Sequence, residues 1–204
     1  MSISNKLHWE KIYETKTPDQ VSWTQEIPEI SLEFIHSIGL SKNASIIDIG
    51  GGDSIFVDHL LDMGFINITI LDISSTAIER AKKRLGSRAE KINWIVSDIN
   101  EYIPHSNFDL WHDRAAFHFL TNELEIKKYL DTVNKYVNGY LILGTFSENG
   151  PQKCSGLDIK NYTTDQLSKC FIEAFTTIQC KNHDHVTPFG TTQNFSFCCF
   201  KHID

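Results

Sequence analysis

The sequence has no apolar run approaching the ~18 residues that a membrane-crossing helix needs. It has only five prolines in 204 residues, and no linker rich in proline, glycine or serine, no internal repeat and no low-complexity tract divides it. A single domain over residues 1–204 is therefore expected, long enough to bury a real core. Cations are in short supply: 19 Lys and Arg stand against 26 Asp and Glu, a formal net charge of −7. That deficit argues against nucleic acid as a partner, because phosphate binding needs clustered cations. The one basic cluster, Arg80 to Arg84, sits on a helical pattern with Glu79 four residues before Lys83 and reads as a solvated helix face. The first ten residues lack a basic segment followed by an apolar one, so no secretory signal and no membrane attachment are expected. The five cysteines, Cys154, Cys170, Cys180, Cys198 and Cys199, follow no CxxC or zinc spacing. Free thiols in a reducing cytoplasm are the expectation. His183-Asp184-His185 has no third spaced ligand, so no metal site is expected.

What the chain does have is one run of glycines in a telling place: Ile46-Ile47-Asp48-Ile49-Gly50-Gly51-Gly52-Asp53-Ser54. An apolar strand that ends in glycines and turns straight into a helix brings backbone N–H groups close to a ligand. Before it, residues 5–16 read as a helix with Trp9 and Tyr13 among its apolar positions. A second helix starts near Pro28 and ends at Gly39. Residues 1–40 are expected to form lid or brace helices, with Trp9, Tyr13 and Trp23 either packing them or covering a pocket.

From residue 44 to 146 the pattern alternates. Strands are expected at Ser45–Ile49, Ile68–Leu71, Ile92–Val96, Phe108–Trp111 and Tyr140–Phe146. Helices lie between them, one capped by Ser74 or Ser75 and ending at Gly86, another running from about Asn122 to Val137. Solid apolar strands alternating with helices indicate a parallel sheet covered on both faces. In residues 147–204, Thr163 and Gln166 make a capping box for a helix to about Ala174. Phe175–Cys180 and Asn194–Phe200 read as two antiparallel strands, their connection being too short for a crossover helix. The sum is a seven-stranded α/β sheet.

An open α/β sheet binds its ligand at the carboxyl ends of its strands. Those ends read Gly50-Gly51-Gly52-Asp53, Asp72, Asp98 and Asp113-Arg114. Asp72 is placed to accept from both hydroxyls of a ribose, a strong charge-assisted pairing. Asp98 is placed to accept from an adenine amino group, and Asp53 and Asp113 to face a cationic portion of the ligand. So many acids would repel a pyrophosphate. A dinucleotide fingerprint would also put the bulky Ile55 where a third small residue should pack helix on strand.

This arrangement resembles the class I S-adenosylmethionine-dependent methyltransferases over about Ile46 to Phe146. The family's acid-x-Gly-x-Gly turn matches Asp48-Ile49-Gly50-Gly51-Gly52, with Ser54 where many members keep a further glycine. Its ribose-binding acid matches Asp72 in Ile70-Leu71-Asp72-Ile73-Ser74, its adenine-binding acid Asp98 in Val96-Ser97-Asp98-Ile99, and its fourth motif Phe108-Asp109-Leu110-Trp111-His112-Asp113-Arg114. The resemblance implies a doubly wound Rossmann-like sheet, mostly parallel with an antiparallel terminal strand. It implies S-adenosylmethionine as cofactor, surrounded by Asp48, Gly50, Gly51, Gly52, Asp53, Asp72, Ile73, Asp98, Ile99 and Asp113.

The run Asp113 to Leu120 is similar to the same segment of small-molecule thiol and thiopurine methyltransferases. The Asn/Asp-Pro-Pro-aromatic motif of the amide- and adenine-modifying branches is missing. The acceptor pocket is expected to draw on Tyr13, Trp23, Arg114, Phe117, His118 and Cys154, with the segment 149–162 helping to shape it. No catalytic residue is compelled by in-line methyl transfer. Asp113 and His118 are the candidates, His118 as a proton acceptor on the pocket rim. A small-molecule acceptor is expected. A protein acceptor such as lysine, with Asp113 facing its ammonium, and a binding module without transferase activity are the alternatives.

Overall fold

Strands that are apolar on both faces must be covered on both, and the chain does this with helices. The computed structural model describes residues 3–203. In order, the elements are α1 (Ile3–Thr15), α2 (Glu29–Ile38), β1 (Ser45–Ile49), α3 (Phe56–Asp62), β2 (Asn67–Asp72), α4 (Ser75–Leu85), β3 (Ile92–Val96), β4 (Phe108–Arg114), α5 (Glu123–Tyr136) and β5 (Val137–Phe146). There follow a two-stranded hairpin of β6 (Lys153–Cys154) and β7 (Leu157–Asp158), then α6 (Thr164–Phe171), β8 (Phe175–Val186) and β9 (Thr192–His202).

Seven strands form one sheet in the order β3-β2-β1-β4-β5-β9-β8. The pairs among β1 to β5 are parallel, and β9 is antiparallel to both β5 and β8. Successive residues enter different cores: Ile47 and Ile49 pack on one face, Ile46 on the other. Cys198 and Cys199 likewise point to opposite faces.

The ends of the helices follow local chemistry. Gly39 adopts a left-handed conformation (φ +61°) at the C-cap of α2. The Ser74 hydroxyl accepts from Ala77 N–H and caps α4. Thr163 and Gln166 close the expected capping box on α6.

Two expectations are corrected. The last two strands run well past Cys180 and start before Asn194, with a tight turn at Gly190 (φ +76°). Their missed part, Lys181 to Val186, is polar because β8 is an edge strand, and charged side chains there discourage pairing with another chain. The thiols are not all free, for Cys180 and Cys198 face each other across β8 and β9 and are joined by a disulfide. Their spacing of 18 residues matched no motif because cross-strand register, not sequence distance, sets it.

The helix α1 is fastened by a side chain that no motif pointed to. Glu10 Oε2 accepts from Ser74 Oγ and Thr76 N–H at 2.8 and 3.0 Å, and its Oε1 accepts from Ser75 N–H and Oγ at 2.8 and 2.7 Å. A carboxylate at a helix N-terminus also meets the positive end of the helix dipole. Burial would raise the Glu10 pKa, but these bonds outweigh it and hold the carboxyl down at about 2. Replacing Glu10 with Ala should cost about 1 kcal/mol, the usual value of a lost cap. Hydrogen exchange should quicken in α1 and in the first turn of α4 while β1 and β4 stay protected; unchanged exchange in α1 would show that the clamp does not hold it.

Candidate active site

The carboxyl ends of β1 to β4 face two cavities that share Tyr13, Ile49 and Gly50. The smaller lies over β2 and β3, with Asp72, Ile73, Asp98 and Ile99 in its wall and Trp9 and Phe119 closing it. The larger, about 480 Å³, lies over β1 and β4, walled by Asp48, Gly51, His112 and Arg114 and roofed by Trp23 and the loop around it. The aromatic rings between them pack on each other: Trp9 stands 5.6 Å from Trp23 and 5.2 Å from Phe119, edge to face. Trp9, Tyr13 and Trp23 thus both pack and line the cavities.

The glycine turn is shaped by carboxylates more than by open space. Gly50 has φ +68°, which a side chain rarely tolerates. A Cβ on Gly51 would collide with Asp48 Oδ2, and one on Gly52 with Asp72 Oδ2 and Ala77. Gly52 N–H donates to Asp72 Oδ2 at 3.0 Å, and Ser74 N–H to Oδ1 at 2.8 Å. Gly52 therefore stands behind the wall and orients Asp72, instead of lining a cavity as expected. Burial pushes the Asp72 carboxyl up to about 6 in spite of these two N–H bonds, with Asp48 and Glu10 adding to the rise. Asp98 Oδ1 accepts from Asn100 N–H at 2.9 Å at the rim of the smaller cavity.

Asp48 is 2% exposed. His112 Nδ1 lies 2.6 Å from its Oδ1, and His112 Nε2 lies 2.8 Å from Ser31 Oγ. A carboxylate oxygen only accepts, so Nδ1 carries the proton of the first bond, and Nε2 shares the second with the Ser31 hydroxyl. The other oxygen, Asp48 Oδ2, is buried with no hydrogen-bond partner among the described residues. This Ser31–His112–Asp48 chain was not foreseen: His112 meets Asp48 because β4 pairs with β1 in the register Asp48↔His112, and Ser31 of α2 reaches the other ring nitrogen.

Several expected site residues face elsewhere. Asp113 is fully buried. Its Oδ1 accepts from Ala116 and Phe117 N–H at 2.9 and 3.2 Å, and its Oδ2 from the Tyr129 hydroxyl at 2.7 Å. Burial raises its pKa to about 6, but its donors are all internal, so it faces neither ligand nor acceptor. Asp53 does line the larger cavity, but its carboxylate is paired there with Arg84 and Arg80, at 2.9 and 3.4 Å. Arg84 also grips Asp58 and the Ser54 carbonyl, so the supposed solvated helix face pins the glycine turn to α4. Glu79 pairs with Lys82, not Lys83. Phe117 is buried against Tyr129, Tyr162 and Phe171. Cys154 is buried too, and burial pushes its thiol up to about 12 in spite of the nearby Arg114, so it stays protonated at neutral pH. The segment 149–162, which carries it, supplies no wall residue of either cavity among the described residues.

His118 is buried in place of lying on the rim. Its ring stacks on Phe146 at 4.8 Å, and Nδ1 receives the Phe146 N–H at 3.4 Å. Burial, with Arg114 adding, lowers its pKa to about 3. Arg114 ends β4 and belongs to the larger cavity. Among the described residues no group of three or more His, Cys, Asp or Glu is placed to hold a metal, and no helix is long and apolar enough to cross a membrane.

A parallel sheet of this order, with acids at the ends of β2 and β3 and a glycine turn after β1, defines a Rossmann-like nucleoside-binding protein. Residues 46–139 match the profile of a methyltransferase domain. Malonyl-[acyl-carrier protein] O-methyltransferase 1 of Ilyobacter polytropus is 32% identical over 134 residues, 64% of this chain and 48% of that protein. EEF1A lysine methyltransferase 2 of Danio rerio is 28% identical over 157 residues, 72% of this chain and 61% of that one. The N-methyltransferase NodS of Bradyrhizobium japonicum, solved with S-adenosylhomocysteine, superposes with a TM-score of 0.74 at 17% identity, covering 98% of this chain and all of that one. Residues 46–139 are thus similar to a methyltransferase domain, and the whole chain shares the fold of solved S-adenosylmethionine-dependent methyltransferases. It spans about half the length of the first of these curated relatives.

The buried neutral His118 gives a pH prediction. Unfolded, it takes a proton near pH 6.5; folded, it stays neutral until about pH 3. Its contribution is present above pH 6.5 and is lost as pH falls toward 3. Replacing it with Asn should flatten the acid side of the stability profile by about 1.4 kcal/mol per pH unit below pH 6. Denaturant melts at pH 7, 6 and 5 check this; parallel profiles would mean that His118 is not held neutral.

Proposed function

We propose that this protein moves a methyl group from S-adenosylmethionine to a nucleophile on a small-molecule acceptor by in-line displacement. The observation that carries the reading is the pair of cavities meeting at Gly50. One offers apolar and aromatic walls with the carboxylates of Asp72 and Asp98; the other is a partly covered cleft of small-ligand size. The residues fit the donor. Trp9, Phe119, Ile73 and Ile99 would flank a flat base, Asp98 its amino group and Asp72 the ribose. The buried, unpartnered Asp48 Oδ2 would take an ammonium group. When bound, the donor supplies a methyl group already activated on a sulfonium.

The chain's own residues bind, orient and exclude water. Tyr13, Trp23 and Phe56 wall the larger cavity and keep solvent from the reacting pair. Positioning of this kind supplies ~7–11 kcal/mol in favourable intramolecular models. Neither Asp113 nor His118 reaches the cavity, so neither is proposed as a base. The reading includes a cytoplasmic location and no nucleic acid partner. The net charge supports the second, while the Cys180–Cys198 disulfide stands against the first.

A protein lysine acceptor is the second reading, favoured by the name of the Danio rerio relative. The acid expected to face such an ammonium, Asp113, is turned into the core, and α1 and the Trp23 loop close over the cavity. Transfer from labelled donor into a cell extract split by molecular weight separates the readings. Label in small metabolites supports the first, label in protein the second, and no label despite donor binding supports a binding module. Asp72→Ala should weaken S-adenosylmethionine binding by about 1.5–3 kcal/mol, the value of a lost charged hydrogen bond. Calorimetry with S-adenosylmethionine, S-adenosylhomocysteine and NAD reads this directly, and an unchanged affinity would remove Asp72 from the ribose.

A further inference from the structure

Three arginines line the larger cavity: Arg80, Arg84 and Arg114. The first two are committed to Asp53 and Asp58. Arg114 is different. Among the described residues no carboxylate stands within ion-pair distance of it, and Asp48 acts on it only from further away. Its Nη1 and Nη2 both donate to a single acceptor, the Trp23 carbonyl, at 3.1 and 3.0 Å. Its plane lies over the Phe195 ring, 5.5 Å from the centroid. A guanidinium has five N–H donors in a rigid fork, so three remain after these two bonds. Burial lowers its pKa only to about 10, and the group is a cation at neutral pH. A part-buried cation without a counter-ion is costly unless a ligand supplies one.

Two more observations point to a ligand here. Gln25, two residues beyond Trp23, lines the same cavity, and its Oε1 is buried with no partner among the described residues. The sheet order also separates Arg114 from the donor. A donor with its base at Asp98 on β3 and its ribose at Asp72 on β2 brings its amino-acid end to Asp48 on β1. Arg114 ends β4, one strand further on.

We propose that Arg114 is the recognition point for an oxyanion on the methyl acceptor, so that the acceptor is a small molecule carrying a carboxylate or a similar acid group. Arg114 grips that group by a two-pronged hydrogen-bonded pairing. Gln25 takes a hydrogen-bond donor of the same molecule. The Trp23 carbonyl holds the fork in place, so the roof loop and the acceptor meet at one side chain. The inference rests on the methyltransferase reading and narrows its substrate class.

The test has a binding arm and a transfer arm, each on wild type, Arg114→Gln and Arg114→Lys. In the first, S-adenosylhomocysteine is titrated calorimetrically; propionate and its uncharged counterpart propionamide are then followed by ligand-observed NMR on the loaded protein. Propionate should bind and propionamide should not. Arg114→Gln should weaken propionate by about tenfold or more, the size of one lost charged pairing, and Arg114→Lys by less. S-adenosylhomocysteine should bind both variants within about twofold of wild type, which also reports that they fold. In the transfer arm, small metabolites are divided on an anion exchanger before labelling, and the label should enter the retained pool. Label confined to the neutral and cationic pool would overturn the proposal. So would propionate binding that ignores Arg114→Gln, or a tenfold loss of S-adenosylhomocysteine in both variants, which would give Arg114 to the donor's own carboxylate. Propionate binding at Arg114 in a wild type that takes up neither S-adenosylmethionine nor S-adenosylhomocysteine would overturn the methyltransferase reading and leave the oxyanion site standing.

Discussion

Three carboxylates buried side by side at the ends of β2, β1 and β4 dictate the shape of everything around them. Asp72, Asp48 and Asp113 are 4%, 2% and 0% exposed. A buried carboxylate without donors costs several kcal/mol, so the chain must bring donors to each. For Asp72 these are the N–H groups of Gly52 and Ser74, and reaching it forces the turn at Gly50 into a left-handed conformation. For Asp113 they are the N–H groups of Ala116 and Phe117 and the hydroxyl of Tyr129. Reaching that one places Ala115 at φ +71°, where a non-glycine residue rarely sits. The strain costs about 1–2 kcal/mol, and the charge-assisted bonds to Asp113 offset it. Asp48 has His112 on one oxygen and nothing on the other. Of the three, only it keeps a fully unused acceptor atom beside the larger cavity.

The same need for partners explains why the site is less acidic than its sequence. Asp53 is neutralised by Arg80 and Arg84, and Glu10 by the first turn of α4. These contacts tie α1, the glycine turn and α4 into one frame around Tyr13, which lines both cavities. Charges that might have faced a ligand are spent on holding the walls still. Beside the paired Asp53, Arg80 and Arg84, the larger cavity holds Asp48 Oδ2 and Arg114, one charge of each sign that no ion pair among the described residues takes up.

Most of the sheet was legible because its signal is local. Solid apolar runs, glycine ends and serine caps are written in neighbouring residues, and β1 to β3 lie where those marks put them to within a residue, while β4 runs on to Arg114 and β5 starts at Val137. The polar half of β8 was not legible, since an edge strand looks like a loop when its exposed side chains are charged. The placing of Asp72, Asp98 and Gly50 in the cavity walls followed from strand ends alone. The misplacing of Asp113, Phe117 and His118 followed from the same rule. Asp113 lies inside β4 and is turned to Tyr129, sixteen residues further along and on another element, and only then does the chain turn over at Ala115. The disulfide, the Glu10 clamp and the Ser31–His112–Asp48 chain are likewise products of register and packing, which carry no sequence mark.

The geometry also bears on which acceptors need help. An amine arrives at neutral pH as an ammonium and must lose a proton before its lone pair can attack. The groups first suited to take that proton, Asp113 and His118, are sealed in the core, and both ring nitrogens of His112 are engaged. Among the described residues Asp48 Oδ2 is the carboxylate oxygen in the larger cavity that has no partner, and under the proposed reading the donor's own ammonium would compete for it. A carboxylate arrives already deprotonated and needs no base, only a cation to orient one oxygen and a dry wall to strip its water. Arg114, forked on the Trp23 carbonyl and stacked over Phe195, is such a cation. The same fact, that the acids near β4 are turned inward, both removes the general base and leaves Arg114 without an internal counter-ion.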